Sequence, residues 1–368
     1  MEEFRFKVCH FTSAHPRYDI RIFVKECKSL SAAGYDVTLV VADGKGNEIN
    51  SGIKIIDAGK SRGRLARMTI TVWNLYKKAV DANADIYHFH DPELMVVAWF
   101  LKLKGKKVIY DVHEDLPRQL FAKAYLNKTV AGLLSFIMER VENFFSSHFS
   151  GIVTVTPFIR KRFIKSNTKV EIVCNFPLLS EFSFTSATDK QNEICYVGSI
   201  TEERGVIYML RAMETINSTL NLAGTFGTNE LREKCEQFPG WKKVNELGFL
   251  NRTDILKIIS QSRVGLAVLK NLPSYVDAYP IKIFEYMAAG VPVVASDFPL
   301  WKEIVEGNNC GVCVAPDDTK AIADAVNKLL SNESLAQQMG ANGKKAIKEK
   351  YNWEAESRNL LSFYAKLQ

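Results

Sequence analysis

YPIKIFEYMAAGVPVVASD, residues 279–297, sets one base, Lys282, and one acid, Glu285, inside an apolar run that breaks at Gly-Val-Pro. Proline is tolerated in the first turn of a helix, so a helix is expected over 280–289 and a strand over 291–297. Lys282 and Glu285 then stand at i and i+3 on one helix face. A helix N-terminus offers free N–H groups and the positive end of the dipole. A phosphate bound there would have Lys282 beside it. Glu285, one turn deeper, could accept hydrogen bonds from two vicinal hydroxyls, as acidic residues do for ribose. The plain alternative is a surface ion pair, which so apolar a run argues against.

Working outward, the same helix-to-strand rhythm fills the chain. Strands are expected at 6–12, 35–43, 53–59, 84–91, 106–115, 151–156 and 170–176, with helices after Asp19, over 66–82 and over 92–104. The stretch 177–193 is polar, lacks a period and reads as a linker. A second series follows, with strands in 193–199, 219–227, 241–250, 264–270, 291–297 and 311–318. Its helices fall at 205–216, 253–261, 280–289, 301–307, 319–331 and 333–349, and an amphipathic helix ends the chain at 353–367. Alternating strands and helices mean βαβ units and parallel sheets. The expected division is 1–180, 181–350 and a terminal helix, 351–368. In open parallel sheets ligands bind at the carboxyl ends of strands, so two such domains should face each other across a cleft.

Composition fits an ordinary globular protein, with 368 residues, 47% hydrophobic and 24% charged. No apolar run approaches the ~20 residues of a membrane span. The start, MEEFRFKV, lacks the pattern of a signal peptide, and a cytoplasmic location is expected. Of the seven cysteines, Cys310 and Cys313 have CxxC spacing, a weak zinc signal without a second pair. Net charge is +7, but residues 1–180 hold 27 Lys and Arg against 18 Asp and Glu. Basic density peaks at GKSRGRLARM (59–68) and IRKRFIKSNTK (159–169), which suits an anionic membrane surface or acceptor as well as a solvated face.

Several expected strand-end loops carry polar side chains that a bare fold does not need. The first holds His15, Arg17, Asp19 and Arg21; later ones hold His90 and Asp91, and Asp111, His113 and Glu114. His113, between acids, suits proton transfer or a substrate hydroxyl. His88 alternates with Tyr87 and Phe89 and reads as a packed core residue. These groups could also bind a metal, but no spacing such as HxxxH supports that. In the second half, YVGSITEERG (196–205) places Gly198, Ser199, Arg204 and Gly205 between a strand and a helix, an anion site to which Arg204 adds a charged donor.

These residues resemble family 4 glycosyltransferases, retaining enzymes of the GT-B fold that use nucleotide sugars. YPIKIFEYMAAGVPVVASD is similar to their signature. Asp277, with seven residues between it and Glu285, stands where the family usually has a glutamate. YVGSITEERGV resembles their phosphate loop, with Ser199 in place of the usual arginine and Arg204 in place of a lysine. IYDVHEDLP (109–117) and HPRYDIRIFVKECKSLSAAGYDVTLV (15–40) resemble the acceptor domain of bacterial polysaccharide-assembly members. WEAESRNLLSFYAKL resembles the family's last helix, which crosses back to the first domain.

The resemblance implies that Glu285 binds ribose and Asp277 the donor sugar. Arg204, Ser199 and Lys282, with backbone N–H groups near Gly198, Ala278 and Tyr279, would hold the diphosphate, and Gly248 and Phe249 would border the base. His113 would lie at the reacting centre. His15, Arg17, Asp19, Arg21, His90, Asp91 and Glu114 would line the acceptor side. The donor would be a UDP- or GDP-sugar, and the acceptor a glycan or lipid-linked sugar for cell-surface polysaccharide. No metal, other cofactor or nucleic acid is expected. Alternatives are an epimerase of the same architecture, which needs no acceptor, and a non-catalytic nucleotide-sugar binder. A dinucleotide oxidoreductase is disfavoured, because no GxGxxG opens the first helix.

Overall fold

The structure, a computed structural model, describes residues 6–60, 63–122, 127–182 and 190–368. Parts of the expected linker (183–189) and of the first basic patch (61–62) lie outside them. The chain forms two compact units, Met1–Asn175 with Ala355–Gln368, and Phe176–Glu354.

Unit 1 is built on β1 (Lys7–Phe11), β2 (Asp36–Val41), β3 (Glu48–Asn50), β4 (Ile53–Asp57), β5 (Ile86–Phe89), β6 (Lys107–Val112), β7 (Gly151–Thr154) and β8 (Val170–Ile172). Their order is β3-β4-β2-β1-β5-β6-β7-β8. All neighbours are parallel except β3 and β4. The short edge strand β3 has no signal in the expected pattern, whereas β4 falls within the strand expected at 53–59. The order reverses direction beside β1, which leaves a crevice at the strand ends between β1 and β5.

After Asp19 the chain winds as π-helix, Ile20–Cys27, and then α-helix, Lys28–Ala32. The Asp19 carboxylate caps it by accepting from Arg21 N and Ile22 N, 2.8 and 2.9 Å. Helices Lys128–His148 and Pro157–Phe163 stand beyond those expected from the sequence. The terminal helix, Trp353–Ala365, belongs to this unit. Its Tyr364 is fully buried, and its Glu356 accepts from Cys174 N at 2.7 Å.

Unit 2 holds β9 (Glu193–Val197), β10 (Thr219–Ala223), β11 (Val244–Gly248), β12 (Val264–Ala267), β13 (Val293–Ser296) and β14 (Gly311–Val314). The order is β11-β10-β9-β12-β13-β14, all parallel, with the reversal between β9 and β12. Helices Asn229–Glu236 and Pro273–Val276 are additional to the expected set. The opening stretch folds as expected, as helix Ile281–Ala288 followed by β13, with Pro280 in the capping position rather than inside the helix. Its other face carries Ile283, Phe284 and Met287 into the core. Each unit is therefore a doubly wound α/β domain, with its polar loops at the switch point of its own sheet.

Candidate functional site

In unit 2, β9 runs into Gly198, whose φ of +122° a side chain rarely adopts. A Cβ built there would lie 3.5 Å from both Arg204 Nη1 and Lys282 Nζ, so both cations face the bare edge of this glycine. Gly205 then opens helix Val206–Met213 at φ +78°, where a Cβ would be 1.9 Å from the Val268 carbonyl oxygen. Only glycine lets that turn pass so close to the loop after β12.

Lys282 is buried, and its ammonium has no hydrogen-bond partner among the described residues. It sits 3.6 Å from the ring centre of Tyr196, a cation–π contact. Burial, and then the Arg204 charge, hold it well below the usual lysine range. A buried ammonium without an acceptor is costly, and an anion in front of Gly198 would remove that cost.

Glu285 is also buried, but it does not pair with Lys282. Its Oε1 accepts from Arg252 Nη1. Arg252 in turn binds Glu181 through Nη2, 2.6 Å, and Nε, 3.3 Å. Arg252, the first residue of helix Arg252–Gln261, was not singled out by the sequence. The only hint was its place just after Gly248-Phe249-Leu250.

Ser199 points outward. Its carbonyl, not its hydroxyl, is engaged, accepting from Tyr196 OH at 2.8 Å. Asp277 caps the short helix Pro273–Val276 and is half-buried, with no side-chain partner among the described residues. Ala278 accepts from Trp301 Nε1 at 2.9 Å, and the Tyr279 ring packs on Phe176 and Phe284. Gly248 has φ +64°, and Phe249 beside it is 85% exposed.

In unit 1, neighbouring strands β1, β5 and β6 bring His10, His90, Asp111 and His113 together. Asp111 is fully buried. It takes a two-pronged bond from Arg21, Nε at 2.9 Å and Nη2 at 2.7 Å. Its Oδ2 also meets His113 Nε2 at 2.6 Å and His90 Nδ1 at 3.0 Å. Burial alone would raise the Asp111 carboxyl, but Arg21, His113 and His90 hold it well below the usual range. Burial pushes the His90 imidazole down to about 4, against the pull of Asp111. His113 is half-buried, and its Nδ1 lacks a hydrogen-bond partner among the described residues. An ionised Asp111 fixes the tautomer with Nε2–H inward and leaves Nδ1 as an acceptor.

Asp91 is held by Thr12 Oγ1 and Ser13 N, both 2.6 Å. His15 lies between Asp19 and Asp91, 3.4 and 3.6 Å. Burial opposes its protonation, but the two carboxylates raise it above the ordinary histidine value. His15 returns the favour: although burial raises the Asp19 carboxyl, His15 and the Ile22 N–H bring it down to about 2. Arg17 faces away from this cluster of side chains. It is buried against Asp43 (Nε and Nη2, both 2.7 Å), Glu48 and the Gly46 carbonyl, and braces the loop before β3. Glu114 is exposed and bonded to Gln119. Of the residues expected on the acceptor side, His15, Asp19, Arg21, His90 and Asp91 share this neighbourhood with His113.

Comparison with known proteins places both halves. The model of glycosyltransferase family 4 matches residues 21–176, and that of glycosyl transferases group 1 matches 180–346. A glycosyltransferase of Methanocaldococcus jannaschii, itself uncharacterized, is 31% identical over 181 residues, which is 48% of this chain and 45% of that protein. The chain spans less than half the length of the first curated relatives it matches. Among solved structures, sucrose-phosphate synthase from Thermosynechococcus elongatus superposes with a TM-score of 0.78 over 99% of both chains at 17% identity. An Anabaena protein solved with UDP-glucose superposes at 0.74 over 98% of this chain and 100% of its own, at 14% identity. These two likenesses give the fold, GT-B. With a family 4 region and then a group 1 region along most of its length, the chain belongs to the glycosyltransferases of the family 4, group 1 type.

Proposed function

We propose that this protein transfers a sugar from a nucleoside-diphosphate sugar to a hydroxyl acceptor with retention of anomeric configuration. The observation that carries the reading is the pair Lys282 and Arg204, which face Gly198 while Lys282 has no acceptor of its own among the described residues. A diphosphate is the ligand class that two converging cations and a glycine-opened helix start suit. Lys282 then does what the missing arginine at Ser199 would do, and the leaving group is neutralised without a metal. Glu285, held by Arg252, accepts from the ribose hydroxyls, and Phe249 offers a face to the base.

In the transfer, the bond from the anomeric carbon to the diphosphate oxygen breaks, and a bond to the acceptor oxygen forms on the same sugar face. The acceptor proton passes to the departing diphosphate. Asp277 contacts donor-sugar hydroxyls, and His113 Nδ1 accepts from a sugar hydroxyl at the reacting centre. Thermal-shift and calorimetric screening of UDP, GDP and their sugars tests this, since ligands that bind only the native state raise its stability. A rise with one nucleotide series, lost in Glu285→Ala by tenfold or more, is expected. His113→Ala should lower turnover far more than nucleotide binding. Equal loss of both would make His113 structural, and no shift with any nucleotide would remove the donor site.

The acceptor is a lipid-linked or growing surface glycan, met at an anionic membrane. Helix Lys128–His148 carries Leu133, Phe136, Ile137, Val141 and Phe144 on its exposed side, Phe136 being 56% exposed, and buries Ala131, Ser135 and Ser146 instead. Trp99 meets Phe144, and Phe100 meets Trp73, so the apolar face continues towards Ile70 and Leu65, the last 82% exposed. Arg64, Lys77 and Lys78 stand exposed along it. Such a face fits lipid interface with anionic headgroups. No described helix is long and apolar enough to cross a membrane. Co-sedimentation with phosphatidylglycerol vesicles should be strong at low salt and weaken with Phe136→Glu; no sedimentation at low salt would defeat the membrane reading.

A further inference from the structure

Behind Asp111 lies a cluster of which only His90 was expected at the acceptor side; His10, Glu26 and His88 have no part in the transfer reaction. His10 in β1, Glu26 in the π-helix, His88 in β5 and His90 just after it are all buried. One ligand atom of each lies within 4.8 Å of the others. His10 Nδ1, His90 Nε2 and Glu26 Oε2 form a triangle with sides of 3.0, 3.8 and 4.0 Å. A point about 2.1 Å from all three atoms, its circumradius, lies at the centre, and that is the bond length of zinc to imidazole and carboxylate.

Two further observations point to the same place. Both Glu26 oxygens and His88 Nε2 are buried without a hydrogen bond among the described residues; Arg21 Nε approaches Oε1 at 3.1 Å as an ion pair only. Each histidine also has its other nitrogen held from outside. His90 Nδ1 is on Asp111, while His10 Nε2 and His88 Nδ1 are on the Tyr364 hydroxyl, at 3.2 and 2.8 Å. Ligating histidines are held in this way, by a carboxylate or hydroxyl on the far nitrogen.

We propose that His10 Nδ1, His90 Nε2 and Glu26 Oε2, with His88 Nε2 as fourth donor, bind one divalent transition-metal ion of the zinc class. Three imidazoles and one carboxylate suit Zn²⁺, Co²⁺ or Ni²⁺ better than Mg²⁺ or Ca²⁺. The ion replaces the proton shared by His10 and His90. It joins β1, β5 and the π-helix, and through Tyr364 it braces the terminal helix. Its role is structural and separate from the donor diphosphate.

The test uses the whole chain without a polyhistidine tag. The isolated protein, or chelator-treated protein given Zn²⁺, should hold roughly one equivalent by elemental analysis, and Co²⁺ should give the visible bands of a four-coordinate site. Glu26→Gln and His88→Phe, checked for folding by circular dichroism, should each lower the metal content at least tenfold. Should either fail to fold, wild type alone decides: EDTA should lower its melting temperature and Zn²⁺ restore it. No uptake together with an EDTA-insensitive melt overturns the proposal. So does metal that survives Glu26→Gln but is lost in His113→Ala, which would put it on His90, Asp111 and His113.

Discussion

The buried charges Asp111 of unit 1 and Lys282 of unit 2 differ in how far they are answered. In unit 1 the buried charge at Asp111 is answered four times over, by Arg21 twice and by His90 and His113. In unit 2 the buried acid Glu285 has its arginine, but the buried base Lys282 has no hydrogen-bond partner among the described residues; it meets a ring face, the repulsion of Arg204 and the weaker pull of Glu285. A closed network holds a fold in one arrangement, whereas an open charge is a standing cost that a ligand can relieve. Under the proposed function, the contrast suits Arg21 and Asp111 to architecture and Lys282 to binding.

That contrast breaks if the wrong member proves structural. Arg21→Met takes two of the four bonds, and the full cation, from the buried Asp111 carboxylate and should cost about 3–5 kcal/mol, the usual loss when one partner of a buried pair is removed. Urea melts of the whole chain, followed through near-ultraviolet circular dichroism, would show it. Lys282→Met does the opposite: it removes a buried charge that has no hydrogen-bond partner among the described residues, so stability should hold or rise. The same variant should weaken UDP or GDP binding by roughly 10- to 150-fold, the worth of one charge-assisted hydrogen bond of about 1.5–3 kcal/mol. A destabilised Lys282→Met that still binds nucleotide normally would reverse the assignment.

Much of this difference was legible before the structure, but not evenly. The helix-strand unit at 279–297 declared itself because its apolar period survives in sequence and its two charges interrupt it. The partner of Glu285 did not, because Arg252 lies 33 residues upstream, on another helix. Glu26 was invisible for the same reason: it meets His10 and His90 only once β1, β5 and the π-helix are side by side. His88, read as a core residue, is buried as expected, yet it also shares Tyr364 with His10. Helix Lys128–His148 does carry an apolar stripe in its sequence; that the stripe faces outward is what the pattern does not record. Arg17 looked like part of a polar active-site loop and is instead a brace, a choice made by the positions of Asp43 and Glu48. Local pattern records elements; it does not record which distant charge will answer which.

The smallest effect is also the most direct reading of Lys282. In the free protein, burial and Arg204 hold its ammonium below the usual lysine range. A bound diphosphate supplies negative charge and raises it again. The group then binds more proton in the complex than in the free protein, so binding takes up a fraction of a proton. Affinity must therefore fall as pH rises from the titration of the free state towards that of the complex, by at most about tenfold per pH unit, the limit for a single proton. Calorimetry in two buffers of different ionisation enthalpy measures the uptake at each pH. Wild type should show it, and Lys282→Met should show none. An identical pH slope in both proteins would mean that the proton belongs to another group and that Lys282 does not face the diphosphate.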